Sequence, residues 1–362
     1  MSRSTPELRT TTKKDPTVVI IVSYNQPQYL LDCLDSLYRQ NTTNFTALVI
    51  DNNSRETGFL DEAARRFPRA VIVRERSNWG FAKANNIGMS WAIKHGAKNI
   101  VLLNHDTEVD ASFLEEGLKV LNRAEVGLVQ SKLLLYDVAS NKRTKLINSA
   151  GNKLHFLGFG YVGDYLKPDS PEFSKDQQIT YASGAALFIK ADLAKKLGGF
   201  SLEYFMYHED LDLSWRARLL GYEIWRAGRS VVWHKYSFSR NPIKFYYAER
   251  NRLLTLLKNY RLLTLLLLLP FGLVFELCLI LASIPRGWLG AKLASYWGAL
   301  KLFDTTWKER RVIQRQRRVS DKDIIQLMTY RLVFPGQAES IPLKAINVLG
   351  RLYRALVLGL LS

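Results

Sequence analysis

The sequence predicts an α/β fold with an open, mostly parallel, doubly wound sheet, followed by a C-terminal α-helical, membrane-associated region. Residues 17–23 (TVVIIVS) form a continuous β-branched run, which is typical of a strand buried on both faces of a parallel sheet. Apolar residues then recur at helical spacing, and this strand–helix alternation repeats up to about residue 104. Long apolar and basic segments with helical patterns begin near residue 241.

The first part of the chain predicts four strands with helices between them. The predicted strands are 17–23, 47–50, 70–74 and 99–103. The predicted helices are 29–38, one that follows the polar turn at 52–54 and runs towards residue 67, and 82–94. Polar residues follow the second and fourth strands, at 51–54 and 104–106. Because ligands of such sheets bind beyond the carboxyl ends of the strands, we expect the functional site there.

The middle of the chain is less regular. Glycines interrupt residues 127–181, which we interpret as short strands and loops, and a helix is predicted at 211–220. Two further strands are predicted at 222–227 and 230–233. The predicted divisions are a flexible polar and basic tail at 1–16, an α/β domain at 17–252 and a helical region at 253–362.

Charge and cysteine content restrict the partners and the compartment. The net charge of +18 and the pI of about 9.8 favour an anionic partner, such as a phosphate-bearing substrate, an anionic membrane or nucleic acid. The two cysteines, Cys33 and Cys278, lack the spacing of a metal site or a disulfide framework. Residues 1–16 contain no apolar segment of a secretory signal, so we expect the protein to stay in the cytoplasm.

Three carboxylates are the strongest candidates for chemistry. Asp51 ends the second strand and can accept hydrogen bonds from a nucleobase or ribose, although a turn residue is the alternative. Asp106 follows the fourth strand and is of the type that binds Mg or Mn beside substrate phosphates, although a polar turn after the strand is the alternative. Asp210 can act as a general base, with helix capping as the alternative. Asp212 is instead predicted to pair with Arg216 on the same helix face.

Three weaker candidates accompany these acids. Glu209 can orient Asp210, and His234 can complete a metal site or contact a diphosphate, although a structural histidine is the alternative. The loop at 78–88 precedes a helix, and its backbone amides can face phosphate. Its glycine spacing differs from that of a dinucleotide-binding fingerprint.

Taken in order, six stretches resemble the family 2 glycosyltransferases, especially their rhamnosyltransferase-like branch. They are VVIIVSYNQPQYLLDCLDSL, LVIDNNS, RSNWGFAKANNIGM, IVLLNHDTEVD, YASGAALFIKADLAKKLGGF and YFMYHEDLDLSWRARLLGYEI, and YYAERNRL follows at 246–253. The resemblance implies the nucleotide-binding GT-A fold. It also implies that Asp51 contacts the nucleotide, Asp106 ends the metal-binding motif and Asp210 is the base of an inverting reaction. His105 and Ser201 stand where the family often has proline and aspartate.

The resemblance also implies a reaction and its partners. We expect transfer of a sugar from a nucleotide diphosphate donor, such as dTDP-rhamnose, to a hydroxyl of a glycan or lipid-linked acceptor, in cell-surface polysaccharide synthesis. The expected cofactor is Mg or Mn, held by Asp106 and His234. The residues expected to bind the nucleotide and donor are Ser23, Asn25, Asp51, Asn53, Asn78, Gly80, Phe81, Lys83, Asn86, Asn104 and Gly184.

An apolar segment at 262–284 raises the question of membrane contact. As a helix it would be about 35 Å long, against a hydrocarbon core of about 30 Å. It contains Pro270 and Glu276, and a carboxylate inside a bilayer is costly. A crossing would also export the arginines of 310–318, against the positive-inside rule. We therefore predict a bent, re-entrant or interfacial hairpin on the anionic cytoplasmic membrane surface, peripheral or monotopic, with a soluble bundle or dimer interface as the alternative.

Other function classes are less consistent with the sequence. A nucleotidyltransferase would need a basic loop after the first strand, and residues 23–28 contain no lysine or arginine. A nucleic-acid-binding protein is not expected, because the basic residues concentrate beside apolar helices. A non-catalytic relative that only binds nucleotide sugars is a further alternative, against which the three acids argue.

Overall fold

The computed structural model of the chain describes residues 16–236, 242–333 and 341–361. Its strands are Thr17–Ser23 (β1), Thr46–Asp51 (β2), Val71–Arg74 (β3), Asn99–Asn104 (β4), Thr107–Val109 (β5), Val126–Asp137 (β6), Lys142–Ser149 (β7), Asn152–Leu154 (β8), Gly160–Val162 (β9), Gln177–Gln178 (β10), Ala186–Lys190 (β11) and Glu223–His234 (β12). Its helices are Pro27–Leu37 (α1), Gly58–Arg66 (α2), Gly80–Lys94 (α3), Phe113–Leu121 (α4), Ala191–Leu197 (α5), Glu209–Leu219 (α6), Pro242–Asn259 (α7), Leu262–Ser283 (α8), Leu289–Lys301 (α9), Phe303–Gln316 (α10), Asp321–Leu327 (α11) and Ile341–Leu360 (α12). The first four predicted strands are confirmed to within one residue at each end.

The large sheet has its strands in the order β10-β12-β6-β11-β4-β1-β2-β3, with β5 and β7 pairing at the side. Strands β4, β1, β2 and β3 are parallel, as predicted. Their residues alternate between two buried layers: Val19 and Ile21 pack with α1, whereas Val18 and Ile20 pack with α3. This burial on both faces explains the continuous apolar runs of the sequence.

Beyond β4 the sheet is mixed, so the prediction of a mostly parallel sheet is wrong for this half. Strand β11 lies between β4 and β6 and is antiparallel to both. A buried strand has the same apolar pattern in either direction, and the pattern therefore did not indicate this reversal. As a result, the residues just before β11 lie beside the carboxyl end of β4.

Strand β12 replaces the two strands predicted at 222–227 and 230–233. It pairs in parallel with β6 along its length, with an irregularity between Ala227 and Val231 that accommodates the predicted break. Its last residues pair with β5, and His234 lies opposite Thr107. Strand β6 is twelve residues long, whereas the sequence indicated only short strands in this region.

The C-terminal helices pack on one another and on the α/β part. Helix α7 contacts α6, α9 and α10, and a separate apolar cluster joins α8, α11 and α12 to Trp215 of α6. Among the described residues, α8 alone is long and apolar enough to cross a membrane. The boundary predicted at 252–253 lies within α7, and that domain division stays a prediction. Except for Pro16, the predicted tail at 1–16 lies outside the described residues.

Candidate active site

The ends of β1, β2 and β4 form one edge of the sheet. Ser23 is paired with Asp51, and Asn104 is paired with Val22, so the ends of these parallel strands are level. His105 Nδ1 lies 2.9 Å from the carbonyl oxygen of Val22, which holds the turn after β4 against β1. The predicted polar clusters at 51–54 and 104–106 are therefore neighbours.

The Asp51 turn is fixed by short-range hydrogen bonds. Asp51 is buried, and its Oδ2 accepts a hydrogen bond from the Ser54 amide at 3.3 Å. Asn25 and Asn53 both adopt positive φ, and the Asn25 side chain accepts a hydrogen bond from the Arg55 amide at 2.8 Å. The Asn53 side chain is exposed. These contacts order the loop and leave the Asp51 Oδ1 atom without a bond of its own among the described residues.

The 78–81 loop packs against this turn. Asn78 Oδ1 accepts hydrogen bonds from the Asn52 side chain and from the Gly80 amide, both at 2.9 Å. The Phe81 amide donates to the Phe205 carbonyl at 2.9 Å. The Gly80 and Phe81 amides are thus already bonded within the protein, and the phosphate contact of this loop stays a prediction. Gly80 has φ +73, and a Cβ there would lie 2.5 Å from Phe205, so both conformation and space require glycine.

Two other predicted donor-binding residues have defined partners. Lys83 Nζ lies 3.1 Å from the centroid of the Trp79 ring, a cation–π contact. Asn86 uses both ends of its amide, since Nδ2 donates to the Phe200 carbonyl and Oδ1 accepts from the Phe200 amide, each at 2.8 Å. Asn86 therefore holds the 199–200 loop against α3, which is a structural role that the sequence did not indicate.

The two predicted metal ligands lie side by side. His234 Nε2 is 3.3 Å from Asp106 Oδ1, and His234 Nδ1 is 3.1 Å from the side-chain oxygen of Asn148. Burial opposes ionisation of Asp106, but the nearby charges of His234 and His105 lower its pKa to about 2. The carboxylate is therefore ionised at neutral pH. Within the described part of the chain, no third His, Cys, Asp or Glu joins them in a metal-binding group.

Asp210 is tied to the same edge through the segment before β11. The Gly184 amide donates to Asp210 Oδ2 at 2.9 Å, and the Leu211 amide donates to Oδ1 at 2.7 Å. The next residue, Ala185, accepts a hydrogen bond from the Asn104 amide at 2.9 Å. A Cβ on Gly184 would lie 3.2 Å from the Phe81 ring, so the glycine lets this ring approach Asp210. The antiparallel direction of β11 thus connects Asp210 to the Asp106 turn.

The neighbouring carboxyls Glu209 and Asp210 differ in their surroundings. Burial raises the pKa of Glu209 well above its usual range, and the nearby Asp210 raises it further. Burial also raises the pKa of Asp210, but the amides of Gly184 and Leu211 oppose this by donating to the carboxylate. Asp210 is thus the more readily ionised of the two carboxyls.

A strained loop leads into Asp210. Tyr207 and His208 have φ of +66 and +68, a conformation that costs energy in residues other than glycine. Asn251 of α7 is fully buried, and its Nδ2 donates to the carbonyls of Met206 and Tyr207 at 2.9 and 2.8 Å. The side chain of Asn251 therefore stabilises the loop in this conformation.

Ser201, which departs from the family pattern, has a partner on a distant helix. Its hydroxyl donates to the carboxylate of Glu309 in α10, with both oxygens at 2.9 Å. The same carboxylate pairs with Lys258 of α7 at 2.9 Å. The C-terminal helices thus place a carboxylate next to Ser201.

Four of the predicted site residues have a buried oxygen without a hydrogen-bond partner among the described residues. These atoms are Ser23 Oγ, Asp51 Oδ1, Asp106 Oδ1 and Glu209 Oε2. Unpaired buried polar atoms are rare, because each costs about 1–3 kcal/mol of desolvation. All four atoms belong to residues that the sequence singled out as site candidates.

The comparison with known families agrees with this geometry. The profile of the family described as "Glycosyl transferase family 2" matches residues 18–198, half of the chain. The chain belongs to this family. The match ends before Asp210 and His234, so it does not cover the second half of the site. The rhamnosyltransferase-like branch is not distinguished by it.

Similar proteins are glycosyltransferases or act in glycan synthesis. O-antigen biosynthesis protein RfbC of Myxococcus xanthus is 27% identical over 236 residues, 62% of this chain and 18% of that protein. The low-salt glycan biosynthesis hexosyltransferase Agl10 of Haloferax volcanii is 21% identical, over 57% of this chain and 63% of that protein. The chain thus covers less than two thirds of either relative.

A solved structure confirms the GT-A type α/β fold of this glycosyltransferase family member. The crystal structure of GalNAc-T7 with UDP, GalNAc and Mn²⁺ aligns with a TM-score of 0.54 and 14% identity. The alignment covers 66% of this chain and 47% of that one. At this identity the likeness concerns the fold alone.

Several residues around the site were not predicted from the sequence. Asn52, Asn148 and Asn251 bond site residues or their loops, but a single asparagine in a loop, strand or helix has no sequence pattern that indicates its partner. Lys235 is buried between Asp32 and Glu108, and its amide donates to the Asp106 carbonyl at 2.8 Å. In the sequence, only its position directly after His234 could have indicated that Lys235 lies near the site.

Proposed function

We propose that the protein is an inverting glycosyltransferase that moves a sugar from a nucleotide diphosphate donor to an acceptor hydroxyl. One observation carries the proposal: three carboxylates lie near the same edge of the sheet. Asp51 ends β2, Asp106 follows β4 beside His234, and Asp210 bonds Gly184 next to the end of β4. Family membership and the unpaired oxygens at this edge support it. Asp51 would contact the nucleotide from the end of β2, beside Ser23.

Asp106 and His234 fit a divalent metal. A carboxylate oxygen without a hydrogen-bond partner among the described residues and an imidazole nitrogen 3.3 Å away are suitable donors for Mn or Mg. The phosphates of the donor would complete the ligand set, since the described residues provide no third side chain. A bound metal would neutralise charge on the departing diphosphate. The neighbour GalNAc-T7 is described with Mn²⁺, which is consistent with this proposal.

Asp210 would act as the base. Its carboxylate takes the proton of the acceptor hydroxyl as the acceptor oxygen bonds to the anomeric carbon. The bond from that carbon to the phosphate oxygen breaks, and the nucleotide diphosphate leaves with the electron pair. Gly184 and Leu211 hold the carboxylate through their amides. Glu209 would stay close without taking the proton, because burial and the nearby Asp210 favour its protonated form.

The finer assignments rest on the resemblance and on the named relatives. We propose a role in the synthesis of a cell-surface polysaccharide, with a glycan or a lipid-linked molecule as acceptor at the cytoplasmic membrane surface. RfbC and Agl10 act in O-antigen and glycan biosynthesis by their names. dTDP-rhamnose is the first donor to test, on the sequence resemblance alone.

A donor screen tests the proposed reaction. The protein is heated with individual nucleotide sugars, with and without Mg or Mn, and its melting temperature is measured. We expect one donor to raise the melting temperature only with metal, and that donor to release its nucleotide diphosphate when acceptor is added. An NMR spectrum of the product should show the inverted anomeric configuration. Absence of binding to every nucleotide sugar would contradict the proposal.

Replacing Asp106 with alanine should remove the metal dependence of donor binding. A metal ligand contributes several kcal/mol at the leaving group, so we expect kcat/KM to fall by at least about 100-fold. The measurement is donor binding by calorimetry at a series of Mn concentrations. Asp35→Ala, which changes an exposed carboxylate on α1, is the matched control and should behave like the wild type. An unchanged metal response of Asp106→Ala would place the ligand elsewhere.

Replacing Asn251 with leucine should lower kcat with little effect on donor affinity. The substitution leaves the carbonyls of Met206 and Tyr207 without their donor and loosens the loop before Asp210. A misplaced base costs on the order of 10- to 100-fold in rate. Steady-state kinetics with the separate donor-binding assay check this. The exposed Asn122→Leu is the control, and a parallel loss of donor affinity in Asn251→Leu would argue against a positioning role.

A further inference from the structure

The C-terminal helices expose many large apolar side chains. Along α8, the side chains of Leu266, Leu273 and Leu277 are 65%, 60% and 57% exposed. Further exposed residues lie on the neighbouring helices α9 and α12, which both pack against α8. They are Leu293, Trp297, Leu300, Leu349, Leu352 and Leu356. We call the exposed apolar residues of α8, α9 and α12 the apolar face. An exposed patch of this kind marks an interaction surface.

The opposite side of α8 is bound to the rest of the protein along its length. Phe271 stacks on Phe156 at 5.9 Å, and Phe275 packs on Phe159 at 5.2 Å between ring centroids. Near its two ends, Thr264 bonds Asp321 at 2.6 Å, and Ser283 is fully buried. The helix therefore presents one side to the protein from its first turn to its last.

A charged cluster fixes α8 to α7 and α9. Glu276 of α8 pairs with Arg252 of α7 and with Lys292 of α9, at 2.6 Å for the lysine. Both bases also pair with Glu249 of α7, and Tyr296 donates to Glu276. The cluster has two acids and two bases, nearly all buried. Moving α8 into a bilayer as a spanning helix would separate these charges, and unpaired buried charges are strongly unfavourable.

Charged and aromatic residues border the apolar face. Exposed arginines stand at both ends of α8, Arg261 and Arg286. On α9, Lys301 lies 5.3 Å from the centroid of the exposed Trp297 ring. The next helix, α10, adds exposed Lys308, Arg311 and Arg315. Tryptophans beside basic residues are typical of the boundary between lipid headgroups and acyl chains.

We propose that the apolar face lies flat on one leaflet of an anionic membrane, with α8 parallel to the surface instead of crossing it. The apolar side chains enter the acyl region, while Arg261 and Arg286 reach headgroups at the same surface. Glu276 stays on the protein side of α8, paired with its bases. The anionic lipid is favoured over a second copy of this chain, because the +18 charge and the basic border would make two copies repel each other.

This inference deepens the membrane part of the proposed function, and its test does not depend on sugar transfer. Cys278 is exposed on α8, whereas Cys33, the other cysteine of the sequence, is buried. A polarity-sensitive fluorophore on Cys278 therefore reports on the apolar face alone. The labelled protein is mixed with phosphatidylcholine vesicles, with and without phosphatidylglycerol. We expect a blue shift and protection from iodide quenching, both much larger with the anionic lipid.

Substitutions identify the surface. Leu273→Glu and Leu277→Glu should each weaken vesicle binding by at least about tenfold. Each substitution replaces a leucine that would enter the acyl region of the membrane with a charged side chain. Leu202→Glu, a side chain 62% exposed in the loop before α6, is the matched control and should bind normally. All three positions are exposed, so circular dichroism should be unchanged. Equal binding by the α8 variants and the control would overturn the proposal.

Labelling the two ends of α8 distinguishes a flat helix from a crossing one. Arg261→Cys and Arg286→Cys are made separately in a Cys278→Ser background, and vesicle-bound protein is treated from outside with a membrane-impermeant maleimide. Both cysteines should react. Protection of one end would indicate a crossing. A lack of vesicle binding would overturn the proposal, and light scattering showing a dimer would identify a second copy as the occupant. The vesicle-binding, fluorescence and labelling assays can all be repeated with the Asp210→Asn variant. Because none of them requires sugar transfer, they test the membrane proposal even if the proposed donor is wrong.

Discussion

Replacing Asp210 with asparagine should lower the rate of sugar transfer by on the order of 10²- to 10⁴-fold, the usual contribution of a general base. The amide has the shape of the carboxylate and can still accept a hydrogen bond from Gly184 or Leu211, so the fold should be retained. It cannot take the acceptor proton. Donor binding at the Asp51 and Asp106 side should change little, which calorimetry with the unreacted donor would measure.

The pH profile gives a second readout for Asp210. Burial raises the pKa of Asp210 above the ordinary aspartate value of about 3.9. As the pH is lowered, the base should therefore become protonated, and the wild-type rate should fall, before the pH reaches that value. This acidic limb should be absent from the residual activity of Asp210→Asn. Glu209→Gln is the matched control on the adjacent residue and should retain most of the activity. If Glu209→Gln loses as much as Asp210→Asn, the assignment of the base is wrong.

Replacing Asp212 with alanine should lower the free energy of unfolding by about 3–5 kcal/mol, the range for breaking a buried ion pair. Asp212 is fully buried, and its carboxylate lies 2.8 Å from Arg216 and 3.1 Å from Lys258. Asn259 adds a hydrogen bond at 3.0 Å. Alanine would leave both cations buried without this partner. Urea unfolding followed by circular dichroism measures the loss.

The effect of Asp212 should depend on pH in a known direction. Burial opposes ionisation, but Lys258 and Arg216 lower the pKa of Asp212 overall. Its contribution to stability is therefore complete above the unfolded-state value of about 3.9 and is lost as pH falls through the lower folded-state value. The wild type and Asp212→Ala should converge in acid. Asp61→Ala, at an exposed ion pair with Arg74, is the control, and its effect should stay within about 1 kcal/mol.

These two aspartates also show what the sequence could predict. The pairing of Asp212 with Arg216 follows from helical spacing alone, and the structure confirms it. The neighbourhood of Asp210 does not follow from spacing. It depends on Gly184, which reaches the site because β11 reverses direction, and no period in the sequence distinguishes the two directions of a buried strand.

The strand ends were predictable because hydrophobic runs determine where buried strands stop. Ser23, Asp51 and Asn104 follow directly from the lengths of three apolar runs. His234 meets Asp106 only because β5 pairs with β12, and that pairing spans more than a hundred residues. Asn86 and Asn251 bond backbone atoms far along the chain, so neither could be assigned from its local pattern.

Helix α7 gives the enzyme an unusual dependence on its own carboxyl-terminal part. Consecutive residues face different partners: Asn251 holds the loop before Asp210, and Arg252 holds Glu276 of α8. Lys258 and Asn259, the last two residues of α7, pair with and bond Asp212. A shortened chain that ends at residue 252 would lose these contacts of Arg252, Lys258 and Asn259. A shorter form of the protein that ends after α10 would keep these contacts.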